Sequence, residues 1–271
     1  MQPADYHTHT ELCHHAEGVP AEYARAARAA GLDEVGIADH NPSPGLRDDW
    51  RMAPPDLRRY LELVAAAIED SAAAGGPVVR LGMECDFVPS EQAWLEELAT
   101  LAPWDYLIGS VHYVGAGWAV DDPAAVHRFG QAGVEEVWNL YWPLYVKAIR
   151  SGLFDILGHA DLVKKFGHRP AGDLRRFYEP AIEALADTGT AFELNTAGWR
   201  KDCREQYPAR EFLEMAALAG VPVVVSSDAH KPDEVGMGFA DAVALLKESG
   251  FTRLARFEGR RRRLVPIDDW D

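Results

Sequence analysis

Short apolar runs alternate along the chain with longer amphipathic stretches, and this alternation limits the possible folds more than any other sequence feature. The runs are rich in Val, Ile and Leu, which is typical of strands buried on both faces of a parallel sheet. They cover residues 4–8, 34–38, 78–85, 106–111, 154–158, 190–195 and 221–226. Seven β-then-α units predict an α/β fold, either a parallel sheet closed into a barrel or an open doubly wound sheet.

Helices are predicted between these runs, because apolar residues recur there at helical spacing. The predicted helices cover residues 21–30, 55–74, 91–101, 134–150, 174–187, 209–219 and 232–248. Neither a repeat nor a low-complexity linker interrupts the series, so we expect a single domain over residues 1–271. The connection at 41–54 is long for a βα loop and rich in Pro, Gly and Asp, and we expect it to cover the functional site.

Charge and composition limit the partners of the protein. A net charge of −16 argues against nucleic acid, which needs clustered Lys and Arg, and the short basic run at 260–263 is expected to be a solvated turn or edge strand. No apolar run approaches the roughly 18 residues of a membrane span, and the first residues lack the pattern of a signal peptide. We therefore expect a cytoplasmic protein with a small-molecule partner and no membrane contact. Its oligomeric state is not predictable.

Histidines and acids cluster at the predicted strand ends. Seven of the ten histidines and two acids lie at or just beyond these ends: His7, His9, His15, His40, Glu84, His112, His159, Asp228 and His230. Active sites form at this face of barrels and open parallel sheets alike. One histidine at a strand end is commonly a hydrogen-bonded core residue, but the whole set favours a metal site. Imidazole and carboxylate suit Zn, Fe and Mn, and nine ligands fit three divalent metal ions if one carboxylate bridges.

Six segments carry a resemblance to a known family: DYHTHTELCHH, GIADHNP, GMECDF, GSVHYV, ILGHADL and SSDAH. In this order, and over nearly the whole chain, they resemble the polymerase-and-histidinol-phosphatase (PHP) family of metal-dependent phosphoesterases. The resemblance implies a distorted seven-stranded (β/α) barrel with a trinuclear metal site. It assigns one metal to His7, His9, Glu84 and Asp228, a second to Glu84, His112 and His159, and a third to His15, His40 and His230.

Two further segments, GHADLVKKFG and FELNTAGWRK, are similar to those around the substrate phosphate in the histidinol-phosphate phosphatase branch. This resemblance implies hydrolysis of L-histidinol phosphate to L-histidinol and phosphate, a step of histidine biosynthesis, by a hydroxide that bridges two metals. It implies catalytic roles for Glu84, Asp228 and His9. We expect Arg200 and Lys164 to bind the phosphate, with Lys165 as the alternative to Lys164.

Other functions remain open at this point. The same chemistry could act on another small phosphate ester, a nucleotide or a phosphoprotein. Metal-dependent amidohydrolases also use β/α barrels with a His-x-His motif and a late Asp, although Glu84 in GMECDF and the DAH motif favour the PHP family. A degenerate domain without activity is the third possibility, and the complete set of ligands counts against it.

Overall fold

Parallel strands followed by helices recur along the chain, as the alternating pattern predicts. The computed structural model describes residues 4–45, 48–115 and 117–267. Its strands are β1 Ala4–Asp5, β2 Glu34–Ile37, β3 Val78–Leu81, β4 Glu84–Asp86, β5 Ile108–Ser110, β6 Tyr113–Val114, β7 Trp118–Ala119, β8 Ile156–Leu157, β9 Ala191–Asn195, β10 Val223–Ser226, β11 Arg253–Glu258 and β12 Arg261–Pro266. Its helices are α1 Pro20–Ala29, α2 Leu57–Ala73, α3 Gln92–Leu98, α4 His127–Ala132, α5 Val134–Arg150, α6 Arg175–Thr188, α7 Arg210–Leu218 and α8 Phe239–Glu248.

Two parallel sheets form the centre of the fold. The first has the strand order β1-β2-β3, and the second has the order β10-β9-β8-β5-β4. Single parallel bridges link the two sheets at both sides: Thr8 pairs with Ala229 just beyond β1 and β10, and His40 pairs with Glu84 just beyond β2. The predicted α/β class is therefore confirmed.

The prediction of one continuous strand over residues 78–85 was wrong, because this segment is divided between the two sheets. β3 pairs with β2 in the first sheet, and β4 pairs with β5 in the second. The change occurs at Gly82, whose carbonyl accepts a hydrogen bond from the Tyr60 hydroxyl at 2.6 Å. A side chain at Gly82 would overlap the ring of Tyr106, so the chain crosses between the sheets where only glycine fits.

The last predicted helix, residues 232–248, was also wrong in its first half. A short 3-10 turn covers Pro232–Glu234, and α8 begins only at Phe239. Gly236 and Gly238 have φ angles of 70° and 80°, and this left-handed backbone separates the two elements.

Two antiparallel hairpins were not predicted, β6–β7 and β11–β12. The second hairpin contains the basic run at 260–263, which forms a turn and an edge strand as expected. Its side chains reach the amino-terminal ends of the parallel strands: Arg256 and Arg263 contact Glu34, and Arg260 contacts Asp155. The hairpin thus covers the end of the sheets opposite to the predicted site.

The buried side chains form two hydrophobic clusters. The smaller cluster draws on both sheets and on the β11–β12 hairpin, and it includes Tyr6, Ala38, Tyr106, Val224 and Phe257. The larger one packs the helices against the outer faces of the strands. Within the described part of the chain, no helix is both long and apolar enough to cross a bilayer.

Candidate metal centre

All nine predicted metal ligands lie at the carboxyl-terminal side of the parallel strands. His7 and His9 follow β1 in an extended segment, where residues two apart point the same way. The others follow their own strands or the loops beyond them, so one strand end after another contributes a side chain. These other predicted ligands are His15, His40, Glu84, His112, His159, Asp228 and His230.

The buried carboxylate of Glu84 is the middle of this cluster. Its Oε2 lies 2.8 Å from His40 Nδ1, 3.2 Å from His7 Nε2 and 3.4 Å from His9 Nε2. Its Oε1 lies 3.1 Å from His159 Nε2 and 3.7 Å from His112 Nε2. One carboxylate thus faces five imidazoles, an arrangement suited to a ligand shared between two ions.

Asp228 forms a second acidic point, on the other side of the same histidines. Its Oδ1 lies 3.3 Å from His9 Nε2 and 3.8 Å from His7 Nε2. Asp228 has a φ angle of 52°, a left-handed conformation that is uncommon outside glycine and occurs often at functional sites. The preceding Ser227 is fixed by the buried Asp5, which accepts from the Ser227 backbone N–H at 3.0 Å and from its hydroxyl at 2.5 Å.

His15 and His230 face each other with their Nε2 atoms 2.9 Å apart. The Nδ1 of each ring already lies within hydrogen-bonding distance of a backbone carbonyl, that of Trp50 for His15 and that of Asp228 for His230. A neutral imidazole has one N–H, so two lone pairs meet at this short distance. Burial, together with the neighbouring histidines, lowers the pKa of both rings to about 4, which keeps them neutral and able to bind a cation.

Two further carboxylates contact the Nδ1 atoms of histidines that are predicted ligands, and sequence reasoning missed both. Glu193 lies 3.0 Å from His7 Nδ1, and Asp86 lies 2.5 Å from His112 Nδ1. Each carboxylate directs the Nε2 of its histidine towards Glu84, as the outer partners of metal-binding histidines commonly do. Glu193 could have been found from its position inside a buried strand, where an unpaired acid would be costly.

Several atoms at the centre make no well-aligned hydrogen bond among the described residues, although they lie close to one another. They are His7 Nε2, His9 Nε2, His40 Nδ1 and Glu84 Oε2, all of them buried. Burying an unsatisfied polar atom typically costs about 1–3 kcal/mol, so four such atoms at one point require an explanation. Nitrogen and carboxylate donors turned inwards around one point fit divalent metal ions.

At this centre the carboxylates and the imidazoles shift each other's pKa. Burial alone would raise the pKa of Glu84 and Asp228, but the surrounding histidines hold both well below the usual range. Burial would lower the pKa of His112, but Asp86 outweighs it and raises the value to about 10. Glu193 and Glu84 likewise hold the pKa of His7 well above its usual value, against the effect of burial. A metal ion binding here would replace these protons.

A cavity of about 960 Å³ opens onto the cluster. The described part of the loop at 41–54 contributes Asp48 and Trp50 to its wall, so this loop borders the site, and that it covers the site stays a prediction. The lining contains many acidic and aromatic side chains, and they include Asp49, Tyr113, Trp118, Asp121, Asp122 and Tyr207. Such a wall suits a ligand that carries a positive charge and a flat ring as well as an anionic group for the metals.

Lys164 does not face this cavity, so its prediction as a phosphate ligand was wrong. Its side chain is 0% exposed, and its Nζ lies 2.7 Å from Asp161 and 2.6 Å from Glu205. The two lysines lie at the end of a short 3-10 turn, where adjacent side chains point in different directions. Lys165 is therefore the one that lines the cavity, with its Nζ 3.1 Å from Asp121.

Arg200 lies beside the cavity rather than in its lining. Its guanidinium donates to the Ser227 carbonyl at 3.0 Å and lies 3.7 Å from Glu234. The next residue, Lys201, does line the cavity. The predicted contact between Arg200 and phosphate stays a prediction.

Known proteins resemble this chain in sequence or in fold. The family model described as PHP domain matches residues 5–197. A probable histidinol-phosphatase of Deinococcus radiodurans is 43% identical over 247 residues, which cover 91% of this chain and 93% of that protein. The crystal structure of histidinol phosphate phosphatase from Lactococcus lactis, complexed with Zn, L-histidinol and phosphate, has a TM-score of 0.80 at 22% identity, covering 97% of this chain and 99% of that one. From its sequence and fold, this chain belongs to the PHP domain family.

Proposed function

We propose that this protein is a metal-dependent histidinol-phosphatase, which hydrolyses L-histidinol phosphate to L-histidinol and phosphate. The observation that carries the proposal is the cluster of Glu84 and five histidines, of which Glu84, His40, His112 and His159 line an acidic, aromatic cavity. The family membership and the 43% identical relative support it. In this proposal the partner is a small phosphate ester, and the acidic cavity disfavours nucleic acid.

The nine ligands would hold three divalent ions, Zn, Fe or Mn, in the grouping that the family resemblance implies. Several three-residue sets have donor atoms close enough to share an ion; His7–His9–Asp228 lies within the first group, whereas His9–His40–His230 combines ligands of the first and third groups. The short distance between the Nε2 atoms of His15 and His230 supports a cation in the third group. When bound, such ions supply a nucleophile at neutral pH and neutralise the charge of a phosphate group.

The chain's own residues would bind and orient the substrate. Glu84, Asp228 and His9 would help to hold the metals, and the burial of Glu84 and His9 would keep their side chains in place. Lys165, kept in place by Asp121, would neutralise a phosphate oxygen, and Arg200 would assist from the rim.

The same cavity would also recognise the organic part of the substrate. Histidinol phosphate carries an ammonium group and an imidazole. The acidic side chains of the wall favour the former, and the rings of Trp50 and Tyr113 offer flat surfaces to the latter.

The finer description of the fold follows from the same features. We infer that the two sheets close a distorted barrel, and the bridges at Thr8 and His40 together with the shared core support this closure. If β3 and β4 are counted as one strand broken at Gly82, the barrel has seven strands. The core that links both sheets to the β11–β12 hairpin also supports one domain over residues 1–271.

Phosphate release from L-histidinol phosphate by Mn-reconstituted protein tests the function, beside a panel of other monoesters. We expect a kcat/KM for L-histidinol phosphate at least about tenfold above that for any other ester, and its loss in His9→Ala. Good turnover of a nucleotide or another small ester, with little of histidinol phosphate, would keep the metal chemistry and overturn the substrate. A protein that binds metals and hydrolyses none of the esters would overturn the enzyme assignment.

A further inference from the structure

A buried arginine, Arg51, lies between two carboxylates at the edge of the cavity. Its guanidinium donates to Asp86 Oδ2 at 2.9 Å through Nη2, and to both oxygens of Asp48 at 2.8 and 2.9 Å through Nε. Its Nη1 donates to the carbonyl of Asn41 at 2.9 Å. Only 5% of the residue is exposed, so these charge-assisted bonds are made away from water, where they are strong.

One side of this arginine leads to the metal centre. Asp86 accepts from Arg51 with one oxygen and contacts His112 Nδ1 with the other, at 2.5 Å. The side chain of Asn41 holds the same strand, because its Oδ1 accepts from the Asp86 backbone N–H at 2.9 Å. The orientation of His112 therefore depends on a carboxylate whose own position is set by Arg51.

The other side leads to the wall of the cavity. Asp48 accepts from the Tyr113 hydroxyl at 2.5 Å, and the Arg51 guanidinium lies 4.4 Å from the centre of the Trp50 ring. The rings of Trp50 and Tyr113 are nearly parallel, at 13° with 6.3 Å between centroids. Trp50 also meets the His40 ring edge to face at 4.4 Å, so the wall directly adjoins the metal ligands.

We propose that Arg51 is a positioning residue that couples the Trp50–Tyr113 wall of the cavity to the metal ligand His112. The inference rests on the proposed function, because it assigns this wall to the organic part of the substrate. A guanidinium is suited to the task, since its planar fork binds two carboxylates in fixed directions at once. A lysine would keep the charge but lose the fork.

The test compares Arg51→Lys with the wild type and with Arg210→Lys, a matched control on the exposed surface of α7 where the pair with Glu214 can re-form. The first readout is the rate at which Mn-loaded protein loses metal to a chelator. We expect a rate about tenfold higher for Arg51→Lys, because loss of an outer partner typically weakens metal binding or activity 10–100-fold. Arg51→Met is the harsher variant, and Arg51→Lys keeps the test valid if it fails to fold.

The second readout is the split between KM and kcat. For Arg51→Lys we expect KM to rise about tenfold for L-histidinol phosphate and to stay within twofold for glycerol 2-phosphate, which has no ring to contact the wall. The kcat should fall for both esters, because His112 serves both. Since Trp50 and Arg51 act on one wall, the KM increases of Trp50→Ala and Arg51→Lys should not multiply in the double variant.

Changes in both readouts, with Arg210→Lys unchanged, support the coupling. A change in the metal loss alone, in KM alone or in neither overturns it, as do KM effects that multiply in the double variant. A wild type that does not prefer L-histidinol phosphate refutes the proposed function instead. In that case the metal-loss readout, with KM for the preferred ester, still decides the role of Arg51.

Discussion

Glu34 lies at the amino-terminal end of β2, far along the strand from the metal ligands, and gathers four polar groups. Its carboxylate accepts from the Tyr6 hydroxyl at 2.6 Å, from Arg256 at 2.8 Å, from Arg263 at 2.9 Å and from Arg80 at 3.4 Å. Glu34 and Arg256 are almost completely buried. We predict that Glu34→Gln destabilises the fold without changing the chemistry.

The expected magnitude follows from the burial of this pair. Glutamine keeps the shape of glutamate but removes the charge that the buried Arg256 contacts, and breaking a buried ion pair from one side costs about 3–5 kcal/mol. At about 2–4 °C per kcal/mol for a chain of this size class, Tm should fall by roughly 6–20 °C. Glu258→Gln is the matched control, because Glu258 is 71% exposed and pairs with the same Arg80 at 3.0 Å. It should cost less than about 1 kcal/mol.

Urea unfolding at a fixed Mn concentration measures both variants, since bound metal shifts stability by mass action. The kcat of the folded protein should stay within twofold of the wild type, as expected for a change at the stability end of a β/α fold. A loss in Glu34→Gln no larger than that in Glu258→Gln would refute the reasoning about the buried pair. A large fall in kcat would refute the claim that Glu34, at the amino-terminal end of the strands, does not affect the site at their carboxyl-terminal end.

Three further predictions concern the metal centre and the cavity. Glu84→Gln should lower the metal content by at least one ion per chain and kcat by on the order of 10²-fold or more, measured by elemental analysis and phosphate release; full metal content would contradict a shared ligand. Lys165→Met should raise KM about tenfold with unchanged stability, whereas Lys164→Met should cost about 3–5 kcal/mol in urea unfolding with kcat preserved, and the reverse pattern would exclude Lys165. Metal binding at pH 7.5 should release about two protons and strengthen with rising pH, because the pKa of His7 is held well above its usual value and that of His112 is about 10. Calorimetry in buffers of different ionisation enthalpy counts these protons, and release of none would contradict the assignment.

The strand-end rule explains why the sequence was enough to bring the centre together. His112 follows β5 and His159 follows β8, and these strands are neighbours in the second sheet, so their rings meet at Glu84. Parallel strands place their carboxyl ends along one edge of the sheet. A residue could therefore be predicted as a ligand from its position at a strand end, without knowing which strands are neighbours. The imidazole and carboxylate donors then predicted that the bound species is a divalent metal ion.

The directions of side chains within a turn could not be predicted from the sequence. Lys164 and Lys165 differ by one position, and which of them points inwards depends on Asp161 and Glu205, which meet Lys164 only in the folded chain. The break at Gly82 depends in the same way on Tyr106, which lies just before β5 and is distant from Gly82 in sequence.

The β11–β12 hairpin did carry a local signal in the sequence, which is the glycine at its turn. Gly259 and Arg260 have φ angles of 53° and 63°, the backbone of a tight two-residue hairpin turn. Residues 254–257 of β11 are all buried, Arg256 among them because it pairs with Glu34, so the strand lacks the apolar–polar alternation by which a half-exposed strand is predicted.

The bridge between Thr8 and Ala229 ties an early segment of the chain to a late one, and this affects how the centre matures during synthesis. Asp5 and Ser227, which are hydrogen-bonded there, are 222 residues apart in sequence. Closing a flexible loop of that length costs about 5 kcal/mol of chain entropy. A nascent chain exposes His7 and His9 long before the ribosome adds Asp228 and His230, so the early histidines wait for most of translation without their partners. A chain released before His230 would lack part of the proposed ligand set, so complete metal loading would distinguish finished polypeptides from truncated ones.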